Sequence, residues 1–89
     1  MSLPGRWVLR IDHSVEKSLQ KIPRRDAEAI LEIIKVLPLN PYFGDLQKMH
    51  GQDNAWRRRV GSYRLFFKLY SAESTIFVFR LERRASKTY

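Results

Sequence analysis

Apolar residues in the first part of the chain change from the spacing of a strand to the spacing of a helix. Residues 7–11, Trp-Val-Leu-Arg-Ile, are short, aromatic and β-branched, which predicts a first strand. Residues 15–22 carry apolar side chains at i, i+4 and i+7, and either Asp12 or Ser14 can cap the helix that this spacing indicates. The chain is therefore predicted to begin with a strand that is followed by a helix.

A longer apolar stripe predicts a second helix. Its members recur three or four positions apart: Ala27, Ile30, Ile34 and Leu37, widened by Leu31 and Ile33. Pro23 suits the first turn of this helix, and Pro38 ends it because proline lacks the backbone N–H that a helix interior needs. We expect the two helices to form an antiparallel hairpin that covers one face of a sheet.

The second half of the chain predicts a loop and then three strands. Residues 39–54 lack a sustained period and contain two glycines, so we expect a loop. Strands are expected at about residues 55–60, 63–70 and 74–82. Gly61-Ser62 makes a two-residue hairpin turn, and glycine at its first position suits type II′. The predicted fold is α+β: an N-terminal strand, a helical hairpin and a three-stranded antiparallel meander, in one domain of residues 1–89.

Alternation along the first of these three strands predicts arginines on the open face of the sheet, the face without helices. Trp56 and Val60 are expected to point to the helices, which leaves Arg57 and Arg59 on the open face. Arg58 then lies on the helix side, where its guanidinium must reach past the edge of the core or pair with an acid. The two open-face arginines need an anion.

The following strand adds cations and aromatic rings to the open face. The residues expected to point inwards are Tyr63, Leu65, Phe67 and Leu69. On the open face, Arg64 and Lys68 lie beside the rings of Phe66 and Tyr70. This face suits single-stranded RNA, since guanidinium groups hold phosphates and aromatic rings stack on bases. Two other interpretations stay open: Phe66 and Tyr70 could form a dimer interface, and the arginines could serve only solubility.

Positive charge is concentrated in the second half of the 89 residues. The net charge is +8; residues 1–45 hold seven Lys or Arg and six Asp or Glu, whereas residues 46–89 hold ten and three. Such an asymmetry favours a polyanionic partner: nucleic acid, an acidic protein or an anionic membrane. RNA phosphate is the leading candidate. The residues predicted to contact it are Arg57, Lys68, Arg84 and Lys87.

Composition excludes several classes of protein. Cysteine is absent, so a disulfide framework and a thiolate metal site are excluded, which fits a reducing cytoplasm. No His, Asp and Glu residues have metal-ligand spacing, so neither a metal nor a cofactor is expected. No apolar run approaches the roughly 20 residues that span a bilayer, so no membrane-spanning helix is predicted. With RNA phosphate as the leading candidate, a membrane partner is not expected. We predict a cytoplasmic location.

With these residues in view, the chain resembles the RelE/ParE superfamily of toxins from bacterial and archaeal toxin–antitoxin systems. The most specific part is the segment Arg59-Val60-Gly61-Ser62-Tyr63-Arg64-Leu65. The resemblance extends to the helical hairpin, the glycines of the loop, the Trp56 strand and the basic C-terminal end with its late Tyr89. It covers nearly the whole chain, and the order and spacing of the pieces carry it.

The resemblance implies a microbial-RNase-like fold and, in the RelE branch, an mRNA interferase. Such a toxin enters the ribosomal A site and cuts the messenger without a metal, because the ribose 2′-hydroxyl attacks the adjacent phosphate and leaves a cyclic phosphate and a free 5′-hydroxyl. The implied partners are a cognate antitoxin, the ribosome and mRNA. Two alternatives use the same fold: a ParE-like inhibitor of DNA gyrase without RNA chemistry, and a catalytically inactive family member.

The resemblance also implies the site residues. Arg57 and Arg59 stand where the best-known RelE toxins carry catalytic lysines, and Arg64 matches an arginine that stabilises the phosphate. Arg83 matches the basic residue that helps to protonate the leaving group, and Tyr89 matches the tyrosine that stacks on or orients the scissile nucleotide. The implied catalytic set is therefore Arg59, Arg64, Arg83 and Tyr89.

Arginines in place of lysines leave the proton acceptor undecided. An arginine at position 59 stabilises a charged phosphorane, but a guanidinium group does not give up its own proton and is unsuited to accept another. Either the rate relies mainly on electrostatic stabilisation and alignment, with the ribosome contributing, or another group takes the proton. The possible acceptors are Asp45, in the loop before the arginine strand, and His50, because a neutral imidazole can accept a proton. The other interpretation of His50 is a loop residue that bonds a backbone carbonyl.

Overall fold

The computed structural model describes residues 7–83, which form two α-helices and a sheet of five strands. The elements are β1 (Val8–Ile11), α1 (His13–Lys21), α2 (Arg24–Val36), β2 (Leu46–Lys48), β3 (Ala55–Val60), β4 (Tyr63–Tyr70) and β5 (Thr75–Arg83). A 3₁₀ turn, Ser71–Glu73, connects β4 to β5. None of the described helices is long and apolar enough to cross a membrane.

The strands form one mixed sheet in the order β1-β5-β4-β3-β2. β1 lies parallel to β5, and every other neighbouring pair is antiparallel. The first and last strands of the described chain are therefore neighbours, and the meander of β3, β4 and β5 forms the centre of the sheet. The predicted α+β fold is confirmed.

Both helices begin at residues that the sequence marks as boundaries. The Asp12 carboxylate accepts hydrogen bonds from the Ser14 backbone N–H at 3.1 Å and from the Ser14 hydroxyl at 2.6 Å, so Asp12 is the N-cap of α1. These hydrogen bonds lower the pKa of Asp12 below its ordinary value of 3.8. Helix α2 has Pro23 as its N-cap residue and ends at Val36, two residues before Pro38.

The core lies between the helices and the sheet face that they cover. The predicted inward residues of β4, each at most 5% exposed, are Tyr63, Leu65, Phe67 and Leu69. They meet Val15, Ile30, Ile34, Leu37, Ile76 and Val78. The Tyr63 hydroxyl donates to Asp26 Oδ2 at 3.0 Å and so links β4 to α2. Burial, and next this carboxylate, raise the pKa of Tyr63 above its ordinary value of 10.0.

Part of the predicted loop is a strand. Residues 46–48 form β2, which pairs with β3 so that Gln47 lies opposite Arg57. The prediction of a loop over residues 39–54 is wrong at these positions, because three residues are too few to display a period. The added strand extends the open face beyond β3.

The turn between β3 and β4 is the predicted one. Gly61 has a φ of +57°, whereas Ser62 keeps a negative φ, and this combination is that of a type II′ turn. Val60 and Tyr63 face each other across the turn. The next facing pair is Arg59 and Arg64, which brings two guanidinium side chains to neighbouring positions on the open face.

Candidate functional site

Three neighbouring strands bring polar side chains together on the open face. The cavity that these side chains line, which we call the arginine cavity, is formed by Asp45, Gln47, Arg57, Arg59 and Arg64. Its volume is about 40 Å³. One water needs at least roughly 10–15 Å³ of such space. The arginine cavity therefore suits a few waters or a single phosphoryl group rather than a nucleobase.

Hydrogen bonds to β3 fix the residues that β2 and its preceding segment bring to the cavity. The Arg59 backbone N–H donates to the Asp45 carbonyl oxygen at 3.0 Å, and Arg59 Nε lies 3.6 Å from Asp45 Oδ2. Arg57 Nη2 donates to Gln47 Oε1. The side chains of Arg59 and Asp45 are 54% and 66% exposed, so their ion pair contributes at most roughly 1 kcal/mol. It can therefore open when another anion arrives.

The arginine cavity has an excess of positive charge. It holds three guanidinium groups and one carboxylate. Arg59 and Arg64 form the first non-hydrogen-bonded pair after the turn, for which the Cβ atoms are about 4.5–5.5 Å apart. Like charges in such a pair repel each other. Glu82 lies opposite Arg64 in the register of β4 and β5, but its carboxylate pairs with Arg80. Among residues 7–83 no carboxylate forms an ion pair with Arg64, so an anion held between the two arginines would relieve the repulsion.

Arg58, on the other side of β3, is buried rather than exposed. It is 7% exposed, and its Cζ lies 4.2 Å from the centroid of the Phe43 ring. No carboxylate of the described chain lies within ion-pair distance of it, so the expected pairing with an acid is not observed. Burial lowers the pKa of Arg58 below its ordinary value, and the charge of Asp45 opposes part of this shift. The guanidinium lies against the Phe43 ring, and its Nε and Nη1 atoms are buried.

An aromatic row continues from the arginine cavity across the open face, and its first member, Phe66, is only 6% exposed. The ring centroids of Phe66 and Phe79 are 6.2 Å apart, and those of Phe79 and Phe77 are 6.3 Å apart. Lys68 Nζ lies 5.3 Å from the Phe79 centroid, and Arg80 Cζ lies 5.6 Å from the Phe66 centroid. Lys68 is thus on the predicted face but outside the cavity, in a row that pairs cations with rings.

A β-bulge determines the position of Arg83. The pairing of β4 with β5 shifts between Phe66 and Phe67, because Phe79 is an extra residue in β5. Beyond the bulge Arg83 pairs with Tyr63 and shares its helix-facing side. Arg83 borders a cleft there, together with Tyr63 and the end of α1. The structure therefore does not bring Arg83 together with the arginine cavity.

The remaining predicted residues also include some that lie in the arginine cavity and some that do not. His50 lies in the turn after β2, at the opposite end of that strand from Asp45, and lines a separate cleft with residues 48–53. Of the two possible proton acceptors, Asp45 is the one in the arginine cavity. The predicted residues Arg84, Lys87 and Tyr89 lie outside the described residues. Within residues 7–83, no three His, Asp or Glu side chains come close enough together to hold a metal ion.

Gln47 is the cavity residue that the sequence prediction missed. The signal was present in the polar–apolar–polar order of Asp45, Leu46 and Gln47, which puts the first and third side chains on the same side of a strand. So short an alternation also occurs by chance. It becomes informative only with the partner strand, where Gln47 faces Arg57.

A family model covers almost the whole chain. The model of the ParE toxin of type II toxin–antitoxin systems, parDE, matches residues 9–87. The chain belongs to this toxin family. The resemblance to the RelE/ParE superfamily is thereby confirmed, although no curated protein sequence matches the toxin significantly.

Solved structures share the fold of the toxin. The archaeal RelE–RelB complex from Pyrococcus horikoshii matches with a TM-score of 0.80 and 24% identity, over 92% of the toxin and 99% of that chain. The RelBE2 complex from Mycobacterium tuberculosis gives 0.75 and 21%, over 89% and 99%. The isolated Escherichia coli RelE toxin gives 0.74 and 18%, over 91% and 87%. At these identities the likeness shows the fold alone.

Proposed function

We propose that the toxin is an mRNA endoribonuclease that acts on the ribosome and needs no metal. The observation that carries this proposal is the arginine cavity, in which three guanidinium groups and one carboxylate face a space of phosphoryl size. Attack of a ribose 2′-hydroxyl on the adjacent phosphate needs a proton acceptor and cations around the charged phosphorane. The cavity contains both kinds of group.

Asp45 is the proposed proton acceptor. Its carboxylate lies 3.6 Å from Arg59 Nε, so a phosphate bound by Arg59 has its neighbouring 2′-hydroxyl close to the carboxylate. The proton passes from the 2′-oxygen to Asp45 as that oxygen bonds to phosphorus. The 5′-oxygen leaves with the electron pair of its bond to phosphorus and takes a proton from water. The guanidinium groups stay charged throughout.

The arginines are the proposed stabilisers of the phosphorane. Arg59 and Arg64 face each other across the cavity, and Gln47 holds Arg57 in position. Cations that are already in place stabilise developing charge without rearrangement, and removal of one such donor typically lowers kcat by roughly 10²–10³-fold. Arg83 lies on the helix-facing side, so this mechanism gives it no role.

The proposal assigns the flanking RNA to the remaining basic and aromatic side chains. Lys68 and the aromatic row lie next to the cavity on the open face, where the half-buried rings of Phe77 and Phe79 can stack on bases and the cation can meet a phosphate. The predicted RNA contacts of Arg84 and Lys87, and the predicted orientation of the scissile nucleotide by Tyr89, are part of the same proposal.

Translation of a defined mRNA, followed by primer extension, tests the proposal. The toxin is expected to cut in the ribosomal A site and to leave cyclic phosphate and 5′-hydroxyl ends. Asp45→Asn is expected to lower the cleavage rate by roughly 10²-fold or more. The matched control Asp53→Asn removes a carboxylate from the turn after β2, outside the cavity, and is expected to cut at the rate of the unmodified toxin. Intact mRNA with the unmodified toxin would overturn the proposal.

A gyrase inhibitor is the second candidate, because the family model that matches describes a ParE toxin. Under this alternative, mRNA stays intact and gyrase–DNA complexes accumulate in a supercoiling assay. If the toxin neither cuts mRNA nor traps gyrase, an inactive binding module is the remaining candidate.

We also propose a cognate antitoxin as partner. The M. tuberculosis structure is a toxin–antitoxin complex, and the P. horikoshii structure is a complex of RelE with RelB. Ten Lys or Arg against three acidic residues in positions 46–89 favour an acidic peptide on the basic sheet face and the C-terminal end. Co-expression of the adjacent short gene is expected to restore growth of cells that make the toxin. A product of that gene that binds equally well after removal of the cavity arginines would contradict the proposed binding face.

A further inference from the structure

The burial of the Arg58 guanidinium costs folding free energy, and packing alone does not explain why the residue is retained there. Its Nε and Nη1 atoms are buried without a hydrogen-bond partner in the described chain, and the residue is 7% exposed. A buried polar group without a partner destabilises a fold, and a guanidinium remains charged there. An apolar side chain of similar length would fill the same space without this cost. The guanidinium therefore needs a function.

The guanidinium occupies the space beside Gly44. Gly44 has a φ of +87°, and a Cβ added to it would overlap the Cζ, Nε and Nη2 atoms of Arg58. The guanidinium also contacts the Phe43 ring, with 4.2 Å between Cζ and the ring centroid. The backbone at residue 44 thus rests on a flat, charged group. Only a residue without a side chain allows so close an approach.

This contact is one residue away from the proposed proton acceptor. Asp45 follows Gly44, and its carbonyl oxygen accepts the Arg59 backbone N–H at 3.0 Å. Two consecutive residues of β3 therefore hold the backbone at Gly44 and Asp45. Arg58 contacts it with its side chain from the core side, and Arg59 bonds to it through its backbone N–H. The position of this backbone determines the direction in which the Asp45 side chain leaves it.

We propose that Arg58 is a positioning residue, which packs against Gly44 and Phe43 and so keeps the Asp45 carboxylate facing Arg59 in the arginine cavity. The catalytic meaning of this role rests on the proposed function, in which Asp45 accepts the proton. The positioning itself does not, since it is a property of the free toxin.

The glycines of the chain supply a matched pair of variants. Gly44 and Gly51 both have positive φ, at +87° and +75°, so alanine strains the backbone at each. Only at position 44 does the new Cβ meet Arg58; at Gly51 nothing lies within 4 Å. Gly44→Ala therefore displaces the guanidinium, and Gly51→Ala controls for the backbone strain. Arg58→Met removes the guanidinium while keeping much of its apolar length.

The experiment measures the ion pair between Arg59 and Asp45 in the free toxin by the ¹⁵N resonance of Arg59 Nε. In the unmodified toxin and in Gly51→Ala, adding Asp45→Asn is expected to move this resonance, because the carboxylate beside Nε is lost. In Gly44→Ala and Arg58→Met, the same substitution is expected to move it by less than about half as much, since coupled sites give non-additive effects. Two-dimensional spectra verify that each variant is folded. A reduced response in either Gly44→Ala or Arg58→Met is enough to support the positioning role.

The two proposals can fail separately. An equal response to Asp45→Asn in all four backgrounds would overturn the positioning role, whatever the variants do to cleavage. Absence of mRNA cleavage by the unmodified toxin, together with the expected loss of response, would leave the positioning role intact and overturn the endoribonuclease. If both proposals hold, Gly44→Ala is expected to lower cleavage at least tenfold more than Gly51→Ala.

Discussion

Replacement of Arg64 by glutamine tests whether the arginine cavity, rather than the overall charge of the toxin, binds RNA. Arg64 lines the cavity opposite Arg59, and within residues 7–83 no ion pair occupies it. A hydrogen bond that involves a charged group contributes about 1.5–3 kcal/mol. Each 1.4 kcal/mol is about tenfold in affinity, so we expect Arg64→Gln to weaken RNA binding by roughly 10- to 100-fold.

The assay is fluorescence anisotropy with a short 2′-O-methyl RNA, which binds but lacks the attacking hydroxyl. It is repeated over a range of salt concentrations, because the loss of one phosphate contact lowers the salt slope of log K for a single strand by about 0.7. The matched control is Arg25→Gln on the exposed surface of α2, which lowers the net charge of +8 by the same single charge. We expect it to weaken binding less than about twofold.

Equal weakening by the two substitutions would refute this reasoning. It would mean that RNA responds to the long-range field of the toxin and that the cavity makes no particular contact with a phosphate. A large effect of Arg64→Gln without any change in the salt slope would also count against a phosphate contact. Thermal unfolding of both variants establishes that each is folded at the assay temperature.

Three further predictions concern the stability of the fold. Tyr63→Phe is expected to lower Tm because it removes the hydrogen bond to Asp26. The pKa of Tyr63 is raised in the folded toxin, so this group's contribution to stability is present below pH 10.0 and is lost as the pH rises through the higher folded pKa. Thermal melts in alkaline buffers measure this loss. Asp12→Ala is expected to lower Tm at neutral pH because it removes the N-cap of α1. The pKa of Asp12 is lowered in the folded toxin, so its contribution to stability is present above pH 3.8 and is lost as the pH falls through the lower folded pKa. The Tm values of the variant and the unmodified toxin are therefore expected to converge in acid. Gly61→Ala forces a φ of +57° on a residue with a side chain and is expected to cost about 1 kcal/mol, measured by urea unfolding; no loss of stability would show that the turn changes type without cost.

For residues in long helices and strands, the face on which the side chain lies could be predicted from the sequence. The alternation over β4 is eight residues long, and its inward set forms the core as expected. Helix α2 is thirteen residues long, and the predicted members Ile30 and Ile34 of its apolar stripe are buried. The open-face positions of Arg57, Arg59 and Arg64 follow from the same periods and from a turn whose chemistry is local.

Features that depend on a partner strand could not be predicted in this way. Gln47 reaches the cavity through a strand of three residues, which only its pairing with β3 reveals. Alternation from Phe77 onward would put Arg83 on the open face, but the extra residue at Phe79 shifts every later side chain to the opposite face. The environment of Arg58 depends on Phe43 and Gly44, fourteen or more positions earlier in the chain.

The parallel pairing of β1 with β5 has a consequence for the order in which this toxin folds. Val8, near the start of the chain, finds its strand partner Thr75 only after the intervening helices and hairpin have been made. Contacts between such distant positions close late, because the loop entropy has to be overcome first. The residues of the arginine cavity, from Asp45 to Arg64, are joined instead by pairings of much shorter range. The hairpin that carries the arginines therefore needs only local closure, whereas the complete sheet waits until β1 reaches β5.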